Sequence, residues 1–227
     1  MSGRRSWLAP FVFFAAVAGL SVFAQHGLAQ LGTLRRSGPV MCAGSSASDL
    51  RIVYLHGLDS YGPSWIEIRN RETLRALAHV LHARIAFPRA RGGWPQQTAA
   101  SLDTLRSAVG NAARTCFGKD SEFGILGFSD GGNAVNQLHL QCDPRSPWMV
   151  SVGSEASLSR RTDTASRAHC GTIALIAGER EPTYLVSRGF AQQLAKRGAK
   201  VRFFEHPGVH ELPFAATRDA LEWAAAQ

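Results

Sequence analysis

The chain is 227 residues long, 45% hydrophobic and 19% charged, which suits one well-buried domain and leaves little room for two. Its formal net charge is +8, and Arg4 and Arg5 supply two of those charges. The remaining arginines are scattered, with no basic run and no interleaved aromatics, so the excess reads as a solvated basic surface and argues against nucleic-acid binding.

Residues 1–29 read as a targeting segment. Arg4-Arg5 precede an apolar run, Trp7 to Val22, and small residues follow at Val22-Phe23-Ala24 and Gly27-Leu28-Ala29, either of which could end a cleaved signal peptide. The run is about 16 residues, short of the roughly 20 that a spanning helix needs, so cleavage is expected over an uncleaved anchor. The two arginines fit an ordinary positive n-region better than a twin-arginine signal. Export gives the four cysteines, Cys42, Cys116, Cys142 and Cys170, a meaning. None has CxxC spacing, and one or two disulfides are expected, with partners open; Cys116 also falls on an apolar helical stripe and could be a core thiol.

Residues 30–48 are expected to be a linker, because Gly38-Pro39 and Ala43-Gly44-Ser45-Ser46-Ala47-Ser48 are poor in core formers. The domain is expected over 49–227, where short apolar runs alternate with helical periodicity. Arg51 to Leu55 reads as a buried strand, and Ser64 to His82 as a helix with Leu74, Leu77 and Leu81 on one face. Ile85 to Phe87 is a strand stopped by Pro88, and Gln96 to Cys116 is a helix with Leu102, Leu105 and Val109 on its stripe. Phe123 to Leu126 reads as the central strand, followed by a helix to about Leu140. Strands at Trp148 to Val152 and Ile173 to Ala177, a helix from Tyr184 to Arg197, an edge strand at Val201 to Phe204 and a last helix from Leu212 to Ala225 complete the pattern. Strands separated by helices of this length predict an α/β domain: a mostly parallel, doubly wound sheet with helices on both faces. Function then gathers in the loops at the C-terminal strand ends.

One of those loops is Gly127-Phe128-Ser129-Asp130-Gly131, the pattern G-x-S-x-G between a strand and a helix. So tight a bend strains its apex, needs glycine on either side, and lifts a serine hydroxyl out at a helix N-terminus, which suits a nucleophile. Such a serine needs a base, and the base an orienting carboxylate. His210 is the preferred base; His206, in the same loop but followed by proline, suits a turn. Glu181 is the preferred acid, with Glu179 and Glu155 as alternatives from neighbouring loops. After the first strong strand, His56-Gly57-Leu58 would offer the Leu58 N–H to an oxyanion, and Asp130 would offer the second N–H. His56 is expected to brace that loop, and a metal site of His56, His206 and His210 lacks a ligand spacing to support it. Arg89 or Arg91 could meet an acidic substrate group, and Trp94 could wall an acyl pocket.

His56-Gly57, the Ser129 elbow, Glu181 and His210 together resemble the α/β-hydrolase superfamily over about residues 50 to 227. The short interval from Ser129 to His210 makes the chain similar to compact, uncapped members such as small esterases, dienelactone-hydrolase-like enzymes or acyl-thioesterase-like enzymes. The resemblance implies a serine hydrolase that acts on a small-molecule acyl substrate through an acyl-enzyme on Ser129, and the targeting segment adds the expectation that it is exported, periplasmic or secreted. The proposed chemistry needs no metal or organic cofactor, and the short apolar run predicts no stable membrane span after processing. A peptidase, thioesterase or acyltransferase on the same residues, or a non-catalytic binding protein with the same fold, are the alternatives.

Overall fold

The computed structural model describes residues 35–37, 40–58, 64–90, 93–94, 99–119, 121–155 and 170–227. The expected targeting segment, 1–29, lies outside them, as do 30–34 and 38–39 of the expected linker. Strands β1 (Arg35–Ser37), β2 (Val40–Ala43), β3 (Leu50–Leu55), β4 (Ala83–Phe87), β5 (Gly124–Phe128), β6 (Trp148–Val152), β7 (Thr172–Gly178) and β8 (Lys200–His206) form one sheet in the order β1-β2-β4-β3-β5-β6-β7-β8. From β4 to β8 every pairing is parallel, while β1 and β2 join antiparallel at one edge. Helices α1 (Trp65–Val80), α2 (Ala99–Phe117), α3 (Asp130–Leu140), α4 (Tyr184–Lys196) and α5 (Phe214–Ala225) make the connections. The α/β, mostly parallel, doubly wound architecture expected from the alternating pattern is therefore present.

The strand alternation sorts side chains into two cores. Val53, Leu55, Ile125, Ile173 and Leu175 point to one face, where Leu105 and Val109 of α2, Leu138 of α3 and Phe190 of α4 cover them. Ile52, Tyr54, Leu126, Val150 and Ile176 point to the other, under Leu74 and Leu77 of α1 and Leu221 of α5. Helix α1 starts where Ser64 caps it, its Oγ accepting the Glu67 N–H at 3.2 Å. The chain moves from β3 outward to β4, then returns across β3 to β5. The loops leaving β3 and β5 therefore open side by side at the switch point, where open α/β sheets bind ligands.

The expected linker needs correcting. Part of it, Val40-Met41-Cys42-Ala43, is buried and pairs with β4 (Met41 with Phe87, Ala43 with Ile85), so the ordered sheet begins before residue 49. Four apolar residues between Gly-Pro and Gly-Ser punctuation carry little periodicity, yet they cover an edge that would otherwise stay unpaired. A disulfide pins them: Cys42 is bonded to Cys116 at the end of α2, and Cys142 to Cys170 between α3 and β7. The first bridge closes a separation of 74 residues, for which loop entropy alone gives about 4 kcal/mol. The Cys42→Ser/Cys116→Ser variant is expected to lose about that much stability in urea unfolding, and more than Cys142→Ser/Cys170→Ser, whose bridge spans 28 residues. No helix among the described residues is long and apolar enough to cross a membrane.

Candidate active site

Ser129 sits between β5 and α3 with φ 56° and ψ −117°, a backbone region that side-chain-bearing residues rarely occupy. The bend survives because its flanks are bare. A Cβ on Gly127 would stand 2.1 Å from the Gly131 carbonyl oxygen, and one on Gly131 would stand 2.0 Å from the Leu55 carbonyl oxygen. The Ser129 N–H donates to Val152 O at 2.8 Å, and the side chain is only partly buried at the head of α3.

His210 and Glu181 arrive from two other loops. His210 Nδ1 lies 2.9 Å from Glu181 Oε2, and the other carboxylate oxygen accepts the Gly178 N–H at 2.9 Å. An ionised carboxylate only accepts, so Nδ1 is the donor in this contact, and in the neutral ring that leaves the lone pair on Nε2. The Glu181 side chain is 1% exposed and that of His210 36%, so the acid is sequestered while the imidazole reaches outward. The His210 ring packs on Phe128, centroids 4.8 Å apart, beside Ser129. Gly153 closes the arrangement from β6. Its φ is +58°, and a Cβ there would lie 2.8 Å from His210 Nδ1 and 3.2 Å from Glu181 Oε2. Glu179 and Glu155, the alternative acids, are both exposed, and the Glu155 N–H donates to Asn133 Oδ1.

The β3 loop forms the other wall. A Cβ on Gly57 would be 3.4 Å from Ser129 Cβ, so this backbone lies against the serine, with Leu58 62% exposed beyond it. His56 is buried, as a brace would be. Its Nε2 accepts the Ala90 N–H at 3.0 Å, which puts the ring proton on Nδ1, 2.6 Å from Gly57 O. Deeper, the Tyr54 hydroxyl donates to Glu67 Oε2 at 3.0 Å and Arg71 Nε donates to Oε1 at 3.1 Å. Burial pushes the Glu67 carboxyl above its ordinary range, and Arg71 and Tyr54 oppose that push. Burial, followed by the Glu67 charge, lifts the Tyr54 phenol well above its own.

The remaining expected residues divide. Arg89 is exposed, and Arg91 lies outside the described residues. Trp94, expected to wall an acyl pocket, is 5% exposed and belongs to the core cluster of Leu55 and Leu102, with its indole N–H donated to His56 O at 2.8 Å. An amphipathic ring beside a glycine-rich turn reads equally as wall or core from sequence; here its one polar atom is spent inside the protein. His206 is buried, and its Nδ1 accepts the Gly208 N–H at 3.2 Å, the turn role suggested by Pro207. Among the described residues, no three His, Cys, Asp or Glu side chains are grouped to hold a metal ion.

No protein-family model matches the chain. The PdxT subunit of pyridoxal 5'-phosphate synthase from Arthrobacter sp. (strain FB24) is 37% identical over 87 residues, covering 38% of this chain and 36% of that protein. The chain thus matches only about a third of that curated relative's length. Solved structures match more fully. FphF, a fluorophosphonate-binding serine hydrolase of Staphylococcus aureus, superposes with a TM-score of 0.59 at 13% identity, over 85% of this chain and 96% of that one. A carboxylesterase from Mesorhizobium loti gives 0.60 at 20% identity, over 87% and 100%. A structure from a study of two fungal esterases of Rhizomucor miehei gives 0.64 at 13% identity, over 86% and 80%. The chain has the α/β-hydrolase fold.

Within the α/β-hydrolase fold, two features had no clear signal in the sequence. Gly153 could be suspected only as a glycine ending a buried strand. Beneath it, Ser154 bridges three elements: its Oγ meets Asn136 Nδ2 at 2.9 Å and Ser151 Oγ at 2.8 Å, and its carbonyl accepts from Ser187 Oγ at 2.7 Å. That network fixes the turn carrying Gly153, and so the floor on which His210 and Glu181 rest.

Proposed function

We propose that the protein is an exported serine hydrolase that cleaves carboxylic esters through an acyl-enzyme on Ser129, with His210 as base and Glu181 as its orienting acid. The observation that carries this reading is the 2.9 Å His210–Glu181 contact, with its imidazole packed at a tilt against the residue preceding a strained, partly exposed serine. His210 Nε2 takes the Ser129 proton as Oγ bonds to the acyl carbon and the carbonyl electrons move onto oxygen. The Leu58 and Asp130 N–H groups receive that oxyanion, each worth roughly 3 kcal/mol in the transition state. Collapse expels the alkoxide, which leaves as alcohol with the proton from His210. Water then gives a proton to His210 and its hydroxide to the acyl carbon, releasing the acid and restoring the serine. These steps use protein groups and water alone. Export is supported by the charged and apolar composition of residues 1–29 and by the two disulfides.

The decisive test is covalent. A fluorophosphonate probe is expected to label the wild type and not Ser129→Ala, and p-nitrophenyl butyrate hydrolysis to vanish with the labelling. Labelling without ester turnover, alongside turnover of thioesters or peptides, would move the assignment to another acyl-handling enzyme. Absence of labelling and of turnover would leave a binding protein on this fold.

A further inference from the structure

We propose that Trp94 is a positioning residue that holds the two halves of the oxyanion site at a fixed separation. The inference rests on the reading of Leu58 and Asp130 as oxyanion donors. Those N–H groups stand on different supports. Asp130 opens α3 and shares its rigidity, whereas Leu58 follows a strand end in a loop and is 62% exposed. Donors aimed at a developing charge must hold their place to about 0.5 Å, so the looser half needs a tie to the stiffer one.

Trp94 makes that tie with both of its N–H groups. The indole Nε1–H donates to His56 O at 2.8 Å, two residues before Leu58, and the backbone N–H donates to Asp130 Oδ2 at 2.7 Å. One residue thus grips the carbonyl of one donor loop and the carboxylate of the other donor residue. The preceding Gly93 lies between them: a Cβ there would stand 2.7 Å from Asp130 Oδ2 and 3.1 Å from Leu58 Cδ1, at a φ of +102°. His56 adds a second strut, taking the Ala90 N–H of the same segment on Nε2 and packing its ring on Trp94 with centroids 5.0 Å apart. At 5% exposure in the α2–α3 core, the indole acts on the substrate only through the backbone it holds.

The test separates this role from that of a pocket wall. Trp94→Phe keeps an aromatic ring and the backbone N–H but deletes the bond to His56 O; benzothienylalanine at position 94 keeps the indole's volume and deletes only the donor. Both are expected to lower kcat for p-nitrophenyl butyrate about 10- to 100-fold, with KM within about twofold. Both are also expected to weaken a trifluoromethyl ketone transition-state analogue by the same factor, with an unchanged preference for acyl length. Wild-type kcat in the benzothienylalanine protein overturns the proposal. So does a loss confined to KM or a shifted acyl-length preference, which belongs to a wall. If Trp94→Phe fails to fold, the isosteric protein decides alone. Ser129→Ala runs in parallel: full turnover there removes the serine reading and this inference with it, whereas a dead Ser129→Ala beside wild-type kcat at position 94 removes only the inference.

Discussion

Glu181→Gln is expected to lower kcat for ester hydrolysis about ten-thousand-fold while the protein stays folded. The carboxylate does two things. One oxygen is held by the Gly178 N–H at 2.9 Å, and the other takes His210 Nδ1–H at 2.9 Å, which in the proposed mechanism leaves Nε2 to accept the serine proton. A carboxamide can keep the first contact, but it can turn its NH2 toward Nδ1 and so favour the imidazole tautomer that carries its proton on Nε2. That tautomer cannot act as base. The imidazolium formed during attack also loses its counter-charge, in a place where the acid side chain is 1% exposed and water cannot substitute. His210→Ala is expected to cost at least as much. Glu179→Gln and Glu155→Gln, on exposed side chains, are expected to stay within about twofold of wild type. Steady-state kinetics on the four purified variants, with circular dichroism to confirm folding, decide it. If Glu155→Gln is the dead variant and Glu181→Gln the active one, the acid has been misassigned.

How far the sequence speaks for itself follows from what each feature depends on. Strands β3 and β5 to β7 are buried on both faces, so they appear as unbroken apolar runs, and the helices between them keep one stripe each. Those signals are local, and the parallel order follows from them. Strand β2 is just as buried, but its four residues stand among glycine, proline and serine, and their partner β4 lies about 40 residues on. Nothing nearby reports that pairing. The cysteine partners are equally remote, since the choice among three connectivities is made by how α2 crosses β2. At the site, the G-x-S-x-G spacing carries its steric reason within five residues. Which glutamate meets His210 depends instead on a turn after β7, where Glu181 N–H bonds Gly178 O at 3.0 Å and points the side chain back under the loop. The hydrogen bonds of Trp94 leave no trace in composition or periodicity, because each joins segments that only the folded sheet brings together.

Gly131→Ala is the second large effect expected, and it separates a glycine required by packing from one that is merely present. Its Cβ would meet the Leu55 carbonyl oxygen at 2.0 Å and the His56 carbonyl oxygen at 2.7 Å. Both are backbone atoms at the end of β3, so no side chain can swing away. Either α3 lifts from the sheet or the β3 loop retreats. The first disturbs the core under Ala134, Val135 and Leu138, all fully buried. The second moves the Gly57-Leu58 backbone, the proposed oxyanion donor, relative to Ser129. Overpacking of this kind costs about 1–3 kcal/mol, and a shift near 1 Å at a reacting centre can cost about a hundredfold in rate. The variant is therefore expected to melt several degrees lower and to lose about a hundredfold in kcat/KM, including at temperatures where it remains folded. Gly189→Ala supplies the contrast. That residue sits inside α4, where a Cβ would meet nothing within 4 Å, and alanine there should raise stability by about 0.5–1 kcal/mol with activity unchanged. Thermal melts and kcat/KM for the pair provide the check. Equal behaviour of the two variants would mean that the contact between the Ser129 bend and the β3 loop is not as close as 2.0 Å implies, and the proposed sharing of a wall by nucleophile and oxyanion loop would have to be redrawn.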